Sequence, residues 1–299
     1  ELYLANWLNA GAAVRLMAGK IGLFLALLLL AENAFANDAF KFYEALLYKN
    51  KPNLSEYGLE PLTLIYHSPF WQLGDARENV PSVQTMRNVF DDTYPGGAFV
   101  VIDIEHWPLK PQSESYVSNR QKYTTFISRI RAVRPDLQLG MYAMVPKRNY
   151  WAPIKGKNSK AYRSWQKTND ELAIIGRQLD VTMPSLYTFY ADRDGWRTYA
   201  LAQISESRRL FPGKPVIVFL WPQYHESSRG SRLEYLSRDY WRLQLETVYE
   251  HADGVVIWGG WDVDAKRKSN WRGDWAWWDE TVKFVFDKKG EILSDNNTP

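Results

Sequence analysis

A regular alternation of two kinds of segment constrains this chain more than any other feature. Six short runs rich in β-branched and aromatic residues recur at 62–67, 98–104, 137–143, 180–187, 215–221 and 254–258. Each is bounded by Gly, Pro or polar clusters, as strands are. Between them lie segments of helical period. Residues 118–133 place Tyr123, Phe126, Ile127 and Ile130 on one face, and 232–251 carry Leu236, Tyr240, Leu243 and Val248. The segment 168–179 opens with Thr168 and Glu171 at capping-box spacing and continues with Leu172, Ile175 and Leu179 on one stripe. Strand–helix alternation over about 250 residues, with no dinucleotide-binding fingerprint, predicts an α/β fold, a (β/α) TIM-like barrel of seven or eight strands. Since six strands are visible, the remainder are expected within 71–90 or 275–286, and 38–57 is expected to be a helical lead-in.

Composition narrows the function. The 299 residues contain no cysteine, which excludes disulfides, thiolate metal sites and thiol nucleophiles. Lys and Arg total 37 against 34 Asp and Glu, a net charge of +3, too small an excess to indicate a nucleic-acid partner. Aromatic residues reach 15%, with 14 Trp and 18 Tyr, which is unusual. Near the N-terminus an apolar run at 21–30 follows Arg15 and Lys20 and precedes Ala34-Phe35-Ala36, the pattern of a secretory signal peptide. As a helix that run rises only ~15 Å, about half a bilayer core. Met17 stands where such a peptide begins, so residues 1–16 are expected to precede the native start and 17–36 to be removed. The remaining 37–299 form a single domain, secreted or periplasmic and monomeric, with no membrane contact once the signal is cleaved.

In a barrel of this kind the chemistry gathers at the carboxyl ends of the strands. The run 99–107 (FVVIDIEHW) leads apolar residues into Asp103 and Glu105. Residues i and i+2 of a strand face the same way, about 7 Å apart. Two carboxylates so placed repel one another, and burial adds a penalty, so one of them is expected to hold its proton near neutral pH. The other strand ends are aromatic: Tyr66, Trp107, Tyr142, Tyr187, Trp221, Trp258 and Trp261. Such rings offer flat faces to the C–H faces of sugars, and their O–H and N–H groups supply directional hydrogen bonds. Basic residues in the following loops, among them Lys147, Arg148, Arg193, Arg197, Arg229 and Arg232, suit an anionic chain.

The segment 101–108 (VIDIEHWP) resembles the Asp-x-Glu-x-Trp strand of the animal and venom hyaluronidases. Further similarities come in the same order. Gly140-Met141-Tyr142-Ala143 resembles their next strand, which bears a site tyrosine. Asn169-Asp170-Glu171-Leu172 followed by 183–187 (MPSLY) resembles their helix and Pro-Ser-x-Tyr strand, and 254–259 (GVVIWG) resembles their last strand. The resemblance spans about residues 99–260. It implies a retaining, endo-acting glycosidase with substrate assistance and no cofactor or metal. In that scheme Glu105 is the acid/base, the N-acetyl carbonyl of the substrate is the nucleophile, and Asp103 orients the amide. Tyr142, Tyr187 and Trp258 shape the acetamido pocket. The family's cysteine framework is absent, and Pro108 stands where an arginine would follow Trp107. These departures bear on the polymer, hyaluronan or another N-acetylhexosamine polysaccharide, more than on the reaction.

Two other readings stay open on sequence grounds. One is a barrel that binds glycans without cleaving them. The other is a metal-dependent polysaccharide deacetylase, suggested by Asp91-Asp92. Against it, the four histidines (His67, His106, His225 and His251) are scattered, with no pair at metal-ligand spacing.

Overall fold

The structure is a computed structural model that describes residues 40–71, 76–90 and 94–295. Its elements run β1 (Lys41–Leu46), a 3-10 turn (Leu54–Tyr57), β2 (Glu60–Pro61), β3 (Thr63–Tyr66), α1 (Val83–Phe90), β4 (Phe99–Asp103), α2 (Tyr116–Val133) and β5 (Gln138–Met141). They continue through α3 (Trp151–Ile154), α4 (Lys160–Gly176), α5 (Arg193–Leu210), β6 (Ile217–Leu220), α6 (Arg238–His251), β7 (Gly254–Gly259), the short hairpin strands β8 (Trp261–Asp262) and β9 (Arg267–Lys268), and α7 (Ala276–Asp295).

The strand pairings close into a ring. β1 pairs in parallel with β7 on one side and β2 on the other. The chain carries straight on from β2 into β3, which pairs with β4, and β4 pairs with β5. The amide of Asp180 donates to Leu139 O, and that of Ala143 donates to Met183 O, so the segment 180–188 lies beside β5. The same segment bridges to Val216, just before β6, through Thr182 and to Phe219 of β6 through Ser185, and β6 pairs with β7. The result is a parallel barrel of seven staves. The stave at 180–188 is a series of isolated bridges rather than a regular strand, because Pro184 has no N–H to give to a ladder.

The period of two along each stave separates lumen from exterior. Ala45, Val101, Met183, Ile217, Phe219 and Val256 pack together inside the barrel. Their neighbours Phe42, Val218, Val255 and Ile257 pack outward with α5, α6 and α7. Val100, Ile102 and Leu139 pack outward with α1 and α2. Gly140 also belongs to the lumen set. A Cβ there would lie 2.5 Å from Met183 Sδ, so glycine leaves this side chain room to fill the lumen.

Three expectations are corrected. The missing stave is β1, within the segment expected to be a helical lead-in, while 83–90 and 276–295 are helices. Phe42, Tyr43, Ala45 and Leu46 are too densely apolar to show a period, and pairing with β7 along six residues decides the outcome. Thr168 caps nothing. It lies inside α4 and its hydroxyl donates to Ser164 O, while Ser159 is the N-cap and accepts from the Tyr162 amide at 3.0 Å. Helix α5, not apparent in the sequence pattern, is capped by Asp192, whose carboxylate accepts from the Gly195 amide at 2.9 Å. The apolar run 21–30 and Asp91-Asp92 lie outside the described residues. Among the described residues no helix is long and apolar enough to cross a membrane.

Candidate active site

The lumen parity carries the site. Extending each inward row past its carboxyl end gives Tyr66 on β3, Asp103 on β4, Tyr142 after β5, Tyr187 on the fifth stave, Trp221 after β6 and Trp258 on β7. Tyr66 and Asp103 stand side by side in the ladder. At this mouth lies a cleft of about 640 Å³ lined by Leu47, Tyr66, His67, Arg77, Asp103, Glu105, His106, Trp258 and Trp261.

Five of the nine residues singled out in the sequence line that cleft: Asp103, Glu105, Tyr66, Trp258 and Trp261. Tyr142, Tyr187 and Trp221 lie beneath it. Tyr187 stacks under Trp258 with ring centroids 5.8 Å apart, Trp221 meets the same indole edge-on at 5.0 Å, and Tyr142 donates to Ser185 Oγ at 3.0 Å. These three rings form a floor that fixes Trp258. Its Nε1 reaches across the mouth to donate to Tyr66 Oη at 3.0 Å.

Trp107 is not part of the cleft wall. It is 1% exposed and packs among Trp71, Tyr123 and Phe126. The alternation that places Asp103 and Glu105 on one side holds only within the strand, and β4 ends at Asp103. By Trp107 the chain has turned, and the indole enters the core. There its Nε1 donates to Arg77 O at 2.7 Å and so holds a cleft residue from below.

The backbone between the two acids is pinned. Tyr123 of α2 donates to Ile104 O at 2.9 Å, and the Tyr142 amide donates to Ile102 O at 3.0 Å. Asp103 is half-buried at the base of the cleft, whereas Glu105 is exposed in it. Burial first, and the charge of Glu105 second, push the Asp103 carboxyl up from 3.8 to about 7. The proton expected on one member of the pair therefore rests on Asp103 in the free protein. Beside it, burial pushes the Tyr66 hydroxyl up to about 12, so this group stays a neutral donor.

Four lining residues are not among the site candidates read from the sequence: Leu47, His67, Arg77 and His106. The histidines are scattered along the sequence, yet these two meet, with ring centroids 6.5 Å apart. Each comes directly after a site residue (Tyr66 and Glu105), a signal that sequence could have offered. Burial and, less strongly, Arg77 lower the pKa of His67. His106 is lowered mainly by burial and then by His67. Its Nε2 is buried with no partner among the described residues, and the ring stands edge-on to Trp71 at 4.6 Å. No third ligand joins the pair: among the described residues no group of three or more His, Asp or Glu is placed to hold a metal ion.

The basic rim is thinner than the sequence suggests. Arg232 is paired with Asp264, and Arg197 lies 4.0 Å from Glu250. Lys147 is held near the acids by its backbone, whose N–H donates to Asn169 Oδ1 and whose carbonyl accepts from Trp165 Nε1 and Gln203 Nε2. Burial depresses its pKa, and Glu105 partly restores it.

No family model matches the sequence, and no curated protein does either. Solved structures do match. Bee venom hyaluronidase superposes with a TM-score of 0.56 at 15% identity, over 85% of this chain and 98% of the venom protein. Its complex with a hyaluronic acid tetramer gives 0.55 at 16% identity, over 86% and 97%. This chain shares that barrel fold. The similarity extends over nearly the whole venom chain.

Proposed function

We propose that this protein is a retaining glycosidase that cleaves an N-acetylhexosamine-containing polysaccharide, with the substrate's own acetamide as nucleophile. The observation that carries the reading is the arrangement of the acids. Among the described residues the only carboxylates lining the cleft are Asp103 and Glu105, two residues apart at one stave end, and burial together with the charge of Glu105 raises the Asp103 carboxyl to about 7. A double-displacement enzyme needs a carboxylate on each side of the scissile bond. Here both come from one side, which leaves the far face of the anomeric carbon to the acetamide.

That placement sets the order of steps. The N-acetylhexosamine ring lies against Trp258, with Tyr66 Oη offering a hydrogen bond. The acetamide N–H approaches Asp103. A hydrogen bond to a carboxylate favours its charged form, so the proton of the pair shifts to the exposed Glu105. Glu105 gives this proton to the glycosidic oxygen as the C–O bond breaks, while the acetamide oxygen bonds to the anomeric carbon. Ionised Asp103 stabilises the resulting oxazolinium ion. Water then attacks the anomeric carbon, Glu105 takes its proton, and the product leaves with retained configuration. Arg77 in the cleft and Lys147 near Glu105 favour a polymer that also carries negative charge, such as hyaluronan. Export to the periplasm or beyond, and action as a monomer, belong to the same proposal and rest on the sequence alone.

The test is Glu105→Gln. Release of reducing ends from hyaluronan, chondroitin or chitin oligomers is expected to fall at least about a thousandfold with the fold unchanged by circular dichroism. An N-acetylglucosamine thiazoline, which mimics the cyclic intermediate, should inhibit the wild type. Full turnover in the variant would refute the acid/base role and leave a glycan-binding barrel. Indifference to the thiazoline would refute substrate assistance.

A further inference from the structure

Trp261 lines two cavities. One is the cleft with the acids; the other, of about 200 Å³, lies between the loop after β6 and the β8–β9 hairpin after β7. The two loops are tied together, since Arg232 donates to both carboxylate oxygens of Asp264 at 2.9 and 2.6 Å. The hairpin turns tightly over Tyr48 at Gly260, whose φ is +83° and where a Cβ would lie 2.6 Å from Tyr48 N. This second cavity is therefore a built feature of the mouth.

Its lining is selective. The Tyr48 and Tyr235 hydroxyls meet at 3.2 Å, so one donates to the other and a single O–H remains to serve a ligand. Asp262 uses Oδ1 to hold the turn amides of Asp264 and Ala265, which leaves Oδ2 as an acceptor. Among the described residues no Lys or Arg lines the cavity, and Asp262 is its only charged group. Aromatic walls with the free O–H of the tyrosine pair, the Ser269 hydroxyl and one carboxylate acceptor fit a ring with an apolar face and several hydroxyls. A carboxylated sugar would meet Asp262 with like charge and no cation in the lining to offset it.

Building on the glycosidase reading, we propose that this cavity is a distal subsite for a neutral hexopyranose of the same chain that is cleaved at Asp103 and Glu105. The exposed indole of Trp261 is the platform over which the chain passes from one cavity to the other. The enzyme then grips at least one ring away from the scissile bond, as internal cleavage of a polymer requires.

The test uses Glu105→Gln, which binds without cleaving, titrated calorimetrically with chitin oligomers from dimer to hexamer and with hyaluronan oligomers of increasing length. Affinity is expected to rise about tenfold at the one chain length that first reaches the distal cavity. Adding Tyr235→Ala should abolish that step. Tyr235→Phe, which keeps the stacking against Trp277, should shrink it and serves if the alanine variant does not fold. A smooth dependence on length, or a step that survives loss of Tyr235, would overturn the subsite while leaving the glycosidase reading intact. Failure of every oligomer to bind at any length would overturn both.

Discussion

In an Asp103→Asn variant the side chain keeps its shape but gives up the ionisable carboxyl. In the wild type this carboxyl rises from 3.8 to about 7 on folding, through burial and then through Glu105. Between these two values the folded chain holds a proton that the unfolded chain releases. Stability therefore declines as pH rises from about 4, and the full penalty is reached once pH passes about 7. A shift of that size is worth at most about 4 kcal/mol. Asp103 keeps some solvent contact in the cleft, so about 2–4 kcal/mol is the expected effect. Urea unfolding of wild type and variant at intervals from pH 4 to pH 8 measures it. The curves should nearly meet at pH 4 and diverge steadily, with the Asn variant the more stable at pH 8. The same variant should lose at least about a thousandfold in kcat, because a neutral amide cannot offset the charge of an oxazolinium ion. A stability difference that does not change with pH, or an Asn variant less stable than wild type at pH 8, would refute the placement of the proton.

The same geometry leads to two further outcomes. Above pH about 7 the pair loses its one proton, so kcat/KM on an N-acetylated glycan should fall about tenfold for each further pH unit; a profile flat to pH 9 would contradict the shared proton. The two tryptophans that sequence groups together should part company. Trp107→Ala, in the packed core, should destabilise by about 3–5 kcal/mol in urea unfolding. Trp261→Ala, at a residue that is 37% exposed, should stay within about 1 kcal/mol of wild type while weakening glycan binding.

The barrel class, the inward acids and the aromatic mouth are all legible in the residues before any folding is considered. The barrel class is written in the alternation of strand-like and helical segments, and the site in a period of two: Phe99, Val101 and Asp103 share one side of β4 as any strand requires, and the same rule sends Tyr66 and Trp258 to the mouth. Local pattern cannot place the residues beyond a strand end. Past Asp103 the alternation lapses, and so Trp107 belongs to the core although Glu105 faces the cleft. Nor can it show that 41–46 is a stave, since its partner β7 lies more than two hundred residues away. Only the closed ring brought His67 against His106, set Arg77 over Trp107, and put Trp261 between two cavities. Each of those arrangements joins segments far apart along the chain, and strand pairing and side-chain packing fix distances of that kind.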